Sequence, residues 1–224
     1  MNNTTDMYEL LKKSDVILEG HFKLTSGRHS NVYINKDSIY RKYELFSTTI
    51  SEMINKILHS GINFDIITGP AIAGAILAAP LSIKMKKTFV YSEKIYEAKK
   101  VYDMTEVLMW PETEKDRRYT YKSVSDRMEF RRGYDKVLDG KRVFIIEDVI
   151  TTGGSIEKTN KAIRDNGGIV VGVISIWNRS GWRLNNCENL SLINRPVESW
   201  EPDKCPLCND PNNRIPLRDP KIFQ

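Results

Sequence analysis

The chain has 224 residues, 40% of them hydrophobic and 28% charged, the balance of a globular protein able to bury a sizeable core. A net charge of +5 and a pI near 9.0 are mildly basic, which suits a multiply anionic small substrate as well as nucleic acid. The opening MNNTTDMYEL has no signal-like regions, the longest apolar stretch (Ala71 to Ile83) is too short to span a bilayer, and three cysteines make a poor disulfide framework. A single-domain cytoplasmic protein with no membrane partner is therefore expected.

In chain order, the first predicted element is a short helix capped by Thr5 or Asp6, with Met7, Leu10, Leu11 and Ile17 as its apolar face. In residues 19–40 (EGHFKLTSGRHSNVYINKDSIY), Phe22 and Leu24, then Val32 and Ile34, alternate with polar residues like two short strands around a Ser26-Gly27 turn. Residues 43–59 place Phe46, Ile50, Met53, Ile54 and Ile57 at helical spacing, and Gly61 stops that helix. His59 near its end reads as a surface residue compensating the helix dipole. Phe64 to Thr68 (FDIIT) is a buried strand, followed by GPAIAGA and an alanine-rich helix. Thr88 to Tyr91 (TFVY) is a further strand, leading into Ser92-Glu93-Lys94.

Residues 95–129 mix charges with Tyr96, Tyr102, Trp110, Tyr119 and Tyr121, contain Pro111, and show no sustained period. So long a loop in a compact domain is uncommon and usually functional or disordered. Beyond it, Arg131 and Arg132 are either phosphate-gripping residues or a solvated cluster before the next strand.

Residues 142–155, RVFIIEDVITTGGS, are the most informative stretch. Val143 to Ile146, with Val149 and Ile150 beyond an acidic pair, read as one buried strand; Gly153-Gly154 breaks it, and a helix begins at Ser155. The N–H groups opening that helix are unpaired and lie at the positive end of its dipole, so they suit a phosphate. Thr151, Thr152 and Ser155 add hydroxyls, and Glu147 and Asp148 can accept hydrogen bonds from vicinal sugar hydroxyls. A phosphate cradle beside a diol acceptor describes a ribose 5-phosphate site. The following helix runs to about Asp165, with Ile156, Ala162 and Ile163 inward and Gly167-Gly168 ending it. Ile169 to Trp177 (IVVGVISIW) is another buried strand, leading into Asn178-Arg179-Ser180-Gly181, and Leu190 to Ile193 is the last strand expected. The tail carries Cys205-Pro-Leu-Cys208, half a zinc site by spacing; Cys187 is the only other cysteine and none of the three histidines is nearby in sequence.

The run from Val143 to Ser155 resembles the phosphoribosyl diphosphate (PRPP) signature of type I phosphoribosyltransferases, and the chain resembles the orotate phosphoribosyltransferases over residues 15–210. The resemblance implies an α/β fold, a central parallel sheet with helices on both faces plus a small N-terminal hood, residues 1–40, that covers the base. It implies that Glu147 and Asp148 hold the ribose hydroxyls, that Thr151, Thr152, Gly153, Gly154 and Ser155 hold the 5′-phosphate, and that Val149 and Ile150 between them also belong to the PRPP site. The backbone of Ala71, Ile72 and Ala73 would form the diphosphate loop, with Ala73 where many members have lysine; the alternative is that glycine and alanine there serve only close helix–sheet packing. Lys94 matches the second member of a basic pair that reaches the diphosphate, often of the neighbouring subunit, while Glu93 and Glu97 stand where other basic residues are usual. Thr151 and Arg179 would contact orotate, a guanidinium being suited to bidentate carboxylate recognition; Asn178 replaces the usual aspartate. Thr25 stands where many members place a lysine, and Tyr33-Ile34 where many place an aromatic pair against the base.

Carried over whole, the resemblance implies transfer of phosphoribosyl from PRPP to orotate, giving orotidine 5′-monophosphate and diphosphate in pyrimidine biosynthesis. Lys94 and Asp148 would be the catalytic groups, Mg²⁺ would ride on PRPP, and the protein would be a homodimer. Residues 95–129 would be an enlarged lid in which Lys99, Lys100, Arg117 or Arg118 replaces the missing loop charge. A similar C-P-L-C tail occurs in one branch of these enzymes, so residues 200–224 read as a lineage mark and no residue is assigned to metal. Two rivals stand: transfer to another nucleobase, which needs no Arg179, or a PRPP-binding regulator. The chain shows no helix-turn-helix or clustered basic face, so no nucleic-acid partner is expected.

Overall fold

The computed structural model describes residues 6–24, 27–95, 98–101, 120–123, 127–210 and 215–219. Helix α1 (Met7–Lys13) is capped by Asp6, whose Oδ1 accepts from the N–H groups of Tyr8 and Glu9 at 3.0 and 3.3 Å. Ile17 is not on that helix. The chain reverses at Asp15 (φ 57°), and Ile17 is the first residue of strand β1 (Ile17–Lys23). The short polar side chain of aspartate tolerates the left-handed region. Strand β2 (His29–Ile34) pairs antiparallel with β1, as the alternation predicts, but Leu24 lies beyond the strand and the ladder shifts register between Glu19 and Phe22.

Helix α2 (Asp37–Arg41) and α3 (Tyr43–His59) follow, α3 with the expected boundaries and with Ile50, Met53 and Ile57 buried. The next unit is β3 (Ile66–Pro70), α4 (Ala73–Met85) and β4 (Thr88–Lys94). β3 starts two residues later than its apolar run because Phe64 packs into the core from the preceding loop, and it continues through Gly69-Pro70. In the 95–129 region, β5 (Ala98–Val101) and β6 (Thr120–Ser123) pair as an antiparallel ribbon, and β7 (Met128–Glu129) follows. Residues 102–119, including the proposed Arg117 and Arg118, lie outside the described residues. Then come β8 (Arg142–Ile150), α5 (Gly154–Asp165), β9 (Ile169–Asn178) and β10 (Glu188–Asn194).

The main sheet has six strands in the order β10-β9-β8-β3-β4-β7, all parallel except β7, which runs antiparallel at one edge. Period-2 alternation divides its side chains between two cores. Ile67, Phe144, Ile146, Ile174 and Ile176 face α3, α4 and α1, while Ile66, Val143, Ile145 and Val173 face Ile156, Ala162 and Ile163 of α5.

β10 is not the last strand. After the short helix α6 (Pro206–Asn209), β11 (Leu217–Arg218) adds parallel to β1 in a second sheet, β11-β1-β2. The tail thus packs against the β1–β2 hairpin of the expected hood. His29 and Trp200 exchange both backbone hydrogen bonds at 2.8 Å, and Ser30 Oγ donates to the Glu198 carbonyl at 2.8 Å. This corrects the argument that left the cysteine pair without partners, since distance along the chain is not distance in space. The ligand atoms of His21, His29, Cys205 and Cys208 all lie within 4.8 Å of one another.

Candidate active site

The C-terminal ends of β3, β8 and β9 open onto one edge of the sheet, where a parallel α/β fold binds its ligands. Glu147 and Asp148 stand near the end of β8 and are both buried. Each curls onto the backbone ahead of it: the Asp148 N–H donates to Glu147 Oε1 at 3.0 Å, and the Val149 N–H to Asp148 Oδ1 at 2.6 Å. Burial, and then the adjacent Asp148, hold the Glu147 carboxyl well above its usual range.

The pair has a counter-charge that the sequence reading missed. Lys36, between β2 and α2, places Nζ 2.6 Å from Asp148 Oδ2. That oxygen is buried and lacks a well-aligned hydrogen bond, so the contact is an ion pair rather than a directed bond. Burial works to lower the Lys36 pKa, but Asp148 and Glu147 outweigh it and the net shift is upward. The Tyr40 hydroxyl is buried in the same field and held protonated, first by burial and then by Asp148. Lys36 stands directly after Tyr33-Ile34-Asn35, but its partner is more than a hundred residues away in the chain. No local signal names it.

Beyond the acidic pair, Thr151 and Thr152 are exposed, Gly153 adopts φ +76° as the N-cap of α5, and the Gly154 N–H reaches Thr152 Oγ1 at 3.4 Å. Ser155 is exposed in the first turn of α5. Gly153 serves a purpose the sequence does not announce: a Cβ there would lie 2.1 Å from the Trp182 ring, so its missing side chain makes room for an indole. Asn178 shapes the loop that carries that indole. Its Oδ1 accepts from the Gly181 N–H at 2.9 Å, and its Nδ2 donates to the Trp182 carbonyl at 2.8 Å. An aspartate could not make the second bond.

Arg179 lies beside the phosphate loop, its N–H donating to the Ile150 carbonyl at 3.0 Å. The side chain is half-buried, and burial pushes its pKa down; among the described residues no carboxylate pairs with it. The 71–73 loop meets the same edge. The Ala71 N–H is taken by the Ser92 carbonyl at 2.8 Å, Ile72 is exposed, and Ala73 opens α4. Gly69 and Gly74 serve packing: a Cβ on Gly69 would sit 2.4 Å from the Gly74 carbonyl carbon, and one on Gly74 would sit 2.6 Å from the Ile146 oxygen. The close approach of α4 to the sheet is what aims its N-terminus at the site.

Lys94 is the last residue of β4 rather than part of a loop, exposed and two residues beyond Ser92. Arg132 pairs with Glu93 at 3.0 Å and Arg131 with Glu129 at 3.4 Å, so here the two arginines form a surface charge cluster. Tyr33 packs on Phe22 with ring centroids 5.7 Å apart, while Ile34 packs into the main core. No helix among the described residues is long and apolar enough to cross a membrane.

Residues 38–186 match the phosphoribosyl transferase domain. The orotate phosphoribosyltransferase of Thermoanaerobacter sp. is 31% identical over 219 residues, covering 96% of this chain and 95% of its own. That of Caldanaerobacter subterraneus is 30% identical over 216 residues, covering 95% and 94%. Among solved structures, orotate phosphoribosyltransferase from Aeropyrum pernix superposes with a TM-score of 0.58 at 22% identity, over 84% of this chain and 92% of that one. An adenine phosphoribosyltransferase from Thermoanaerobacter pseudethanolicus also reaches 0.58, at 24% identity over 83% and 98%, so the fold by itself does not choose the base. With full-length relatives at this identity and a matching domain over most of the chain, the protein belongs to the phosphoribosyltransferase family, among its orotate phosphoribosyltransferases.

Proposed function

We propose that the chain transfers the phosphoribosyl group of PRPP to orotate, forming orotidine 5′-monophosphate and diphosphate in pyrimidine synthesis. The observation that carries this is a buried acidic pair on the strand that leads to an open helix N-terminus, with a half-buried arginine at the end of the neighbouring strand that has no carboxylate partner among the described residues. Glu147 and Asp148 accept hydrogen bonds from the ribose hydroxyls, and residues 151–155 hold the 5′-phosphate. Arg179, with Thr151, orients orotate through its carboxylate, which would offset the burial of the guanidinium. The Ala71–Ala73 loop and Lys94 receive the diphosphate. As the glycosidic bond to diphosphate breaks, positive charge develops on the ribose ring beside the buried carboxylates, so catalysis is mainly positioning and charge stabilisation.

Glu147 and Asp148 offer hard carboxylate oxygens of the kind Mg²⁺ prefers, which fits Mg²⁺ arriving with PRPP. When bound, that ion would offset charge on the diphosphate. The hood, residues 1–40, covers the base, and residues 95–129 act as a lid; both roles are part of the proposal. So are a cytoplasmic location, in keeping with three free cysteines, and a homodimer.

A base screen with Mg²⁺ and PRPP tests the reading. Orotate should be consumed, with uracil and adenine used far more slowly; a preference for either of those would overturn it. Arg179→Ala should weaken orotate recognition by about 2–5 kcal/mol, read as a raised KM for orotate with little change in that for PRPP.

A further inference from the structure

We propose that His21, His29, Cys205 and Cys208 form a tetrahedral zinc site that clips the C-terminal tail to the hood hairpin. The four ligand atoms converge. His21 Nε2 lies 3.1 Å from His29 Nδ1, 3.4 Å from Cys205 Sγ and 3.6 Å from Cys208 Sγ, and Cys208 Sγ lies 3.3 Å from His29 Nδ1. Zinc bonds of about 2.0–2.3 Å to nitrogen and sulfur give a tetrahedron with edges of about 3.3–3.8 Å. These four separations are close to those of a loaded site, and the other two are no more than 4.8 Å.

Each ligand is presented by a local device. The register shift between Glu19 and Phe22 lets adjacent residues, His21 and Phe22, both be buried, and a bulge of this kind re-aims a side chain. Pro206 starts α6, and the Cys208 N–H donates to the Cys205 carbonyl at 3.2 Å, a tight turn that brings both sulfurs to one side. Behind His21, the Ile215 carbonyl faces Nδ1 at 3.0 Å. A carbonyl only accepts, so the proton sits on Nδ1 and Nε2 turns a bare lone pair to the cluster, the backing arrangement usual for a metal-bound imidazole.

The chemistry selects the ion. Two thiolates and two imidazoles in four-fold array suit Zn²⁺ and disfavour Mg²⁺. With all four positions taken by protein, three of them buried, there is no open coordination position for a reactant. The role is structural, and it is independent of which base the enzyme uses. The ion would lock together elements already paired through His29 and Trp200, and so hold the hood where it covers the base.

The test uses the full chain purified under reducing conditions. Elemental analysis should find one zinc per chain, and Co²⁺ exchange should give the intense visible bands of a tetrahedral thiolate site. Chelation should lower the melting temperature and speed proteolysis of residues 200–219, and added zinc should reverse both. Cys208→Ser, at the exposed ligand, should fold yet bind zinc more weakly by more than the roughly 10–100-fold lost when only a group behind a ligand is removed. Cys187→Ser should keep its zinc, because that thiol bonds instead to the Leu184 carbonyl, 3.7 Å away. Zinc that is absent both as purified and after titration of the reduced chain would overturn the proposal. So would full retention of zinc by a Cys205→Ser/Cys208→Ser chain.

Discussion

At the residue scale the proposed chemistry falls on Glu147 and Asp148, and Lys36 supplies a counter-charge to the pair. A carboxyl whose pKa is raised on folding binds its proton more tightly in the native state than in the unfolded one. Its contribution to stability is therefore full at pH values below the ordinary carboxylate pKa, about 4.3, and is lost as pH rises through the raised native value. Glu147 is such a group, and Lys36 partly opposes the shift. Wild-type melting temperature should therefore carry a downward component as pH rises above the ordinary carboxylate value of about 4.3. That component should be missing from Glu147→Gln and should extend to higher pH in Lys36→Met, where the opposing charge is gone. Thermal melts of the three proteins across that range check the sign. A Glu147→Gln profile that parallels wild type would show that Glu147 titrates normally.

At the scale of elements, the site depends on how α5 begins. Gly153 supplies a left-handed turn and leaves room for Trp182, while Asn178 fastens the loop that carries both Trp182 and Arg179. The proposed phosphate loop and the proposed base-binding loop therefore pack against each other through Gly153 and Trp182. Gly153→Ala should cost about 1–3 kcal/mol in stability from backbone strain and overpacking. It should also displace Trp182, changing tryptophan fluorescence and raising KM for both PRPP and orotate. Adding Trp182→Ala should recover the part due to the clash but not the part due to φ. If the double variant recovers nothing, the contact does not matter.

For the whole molecule, α4 and its N-cap expose Ile72, Ile76 and Ile83 to solvent at 76%, 39% and 78%, spaced along one stripe. An apolar stripe on a helix that also opens the proposed diphosphate loop fits the proposed homodimer. Ile83→Asp should weaken association by roughly 2–4 kcal/mol. Sedimentation should then show the mass of one chain where the wild type shows two, and kcat should fall with it. An unchanged mass for Ile83→Asp would move the interface off this face.

The run from Val143 to Ser155 is legible from sequence because its signals are local. β-branched residues make the strand, a glycine pair breaks it, and two carboxylates mark the edge where a buried charge is tolerated only for a partner. The same locality makes α3 and α5 readable to within a residue of their ends, since 3.6-residue periodicity is set by each helix's own buried face. What depends on pairing between distant segments is not legible. The apolar count could not show that Asp15 turns Ile17 out of α1 into a strand, or that Phe64 enters the core from a loop. Nor could any window of sequence bring Lys36 to Asp148, Trp182 onto Gly153, or two histidines of the hood against the cysteines of the tail. Those contacts join residues that are separate along the chain, and only the packed sheet, which decides which loop ends are neighbours, brings them together.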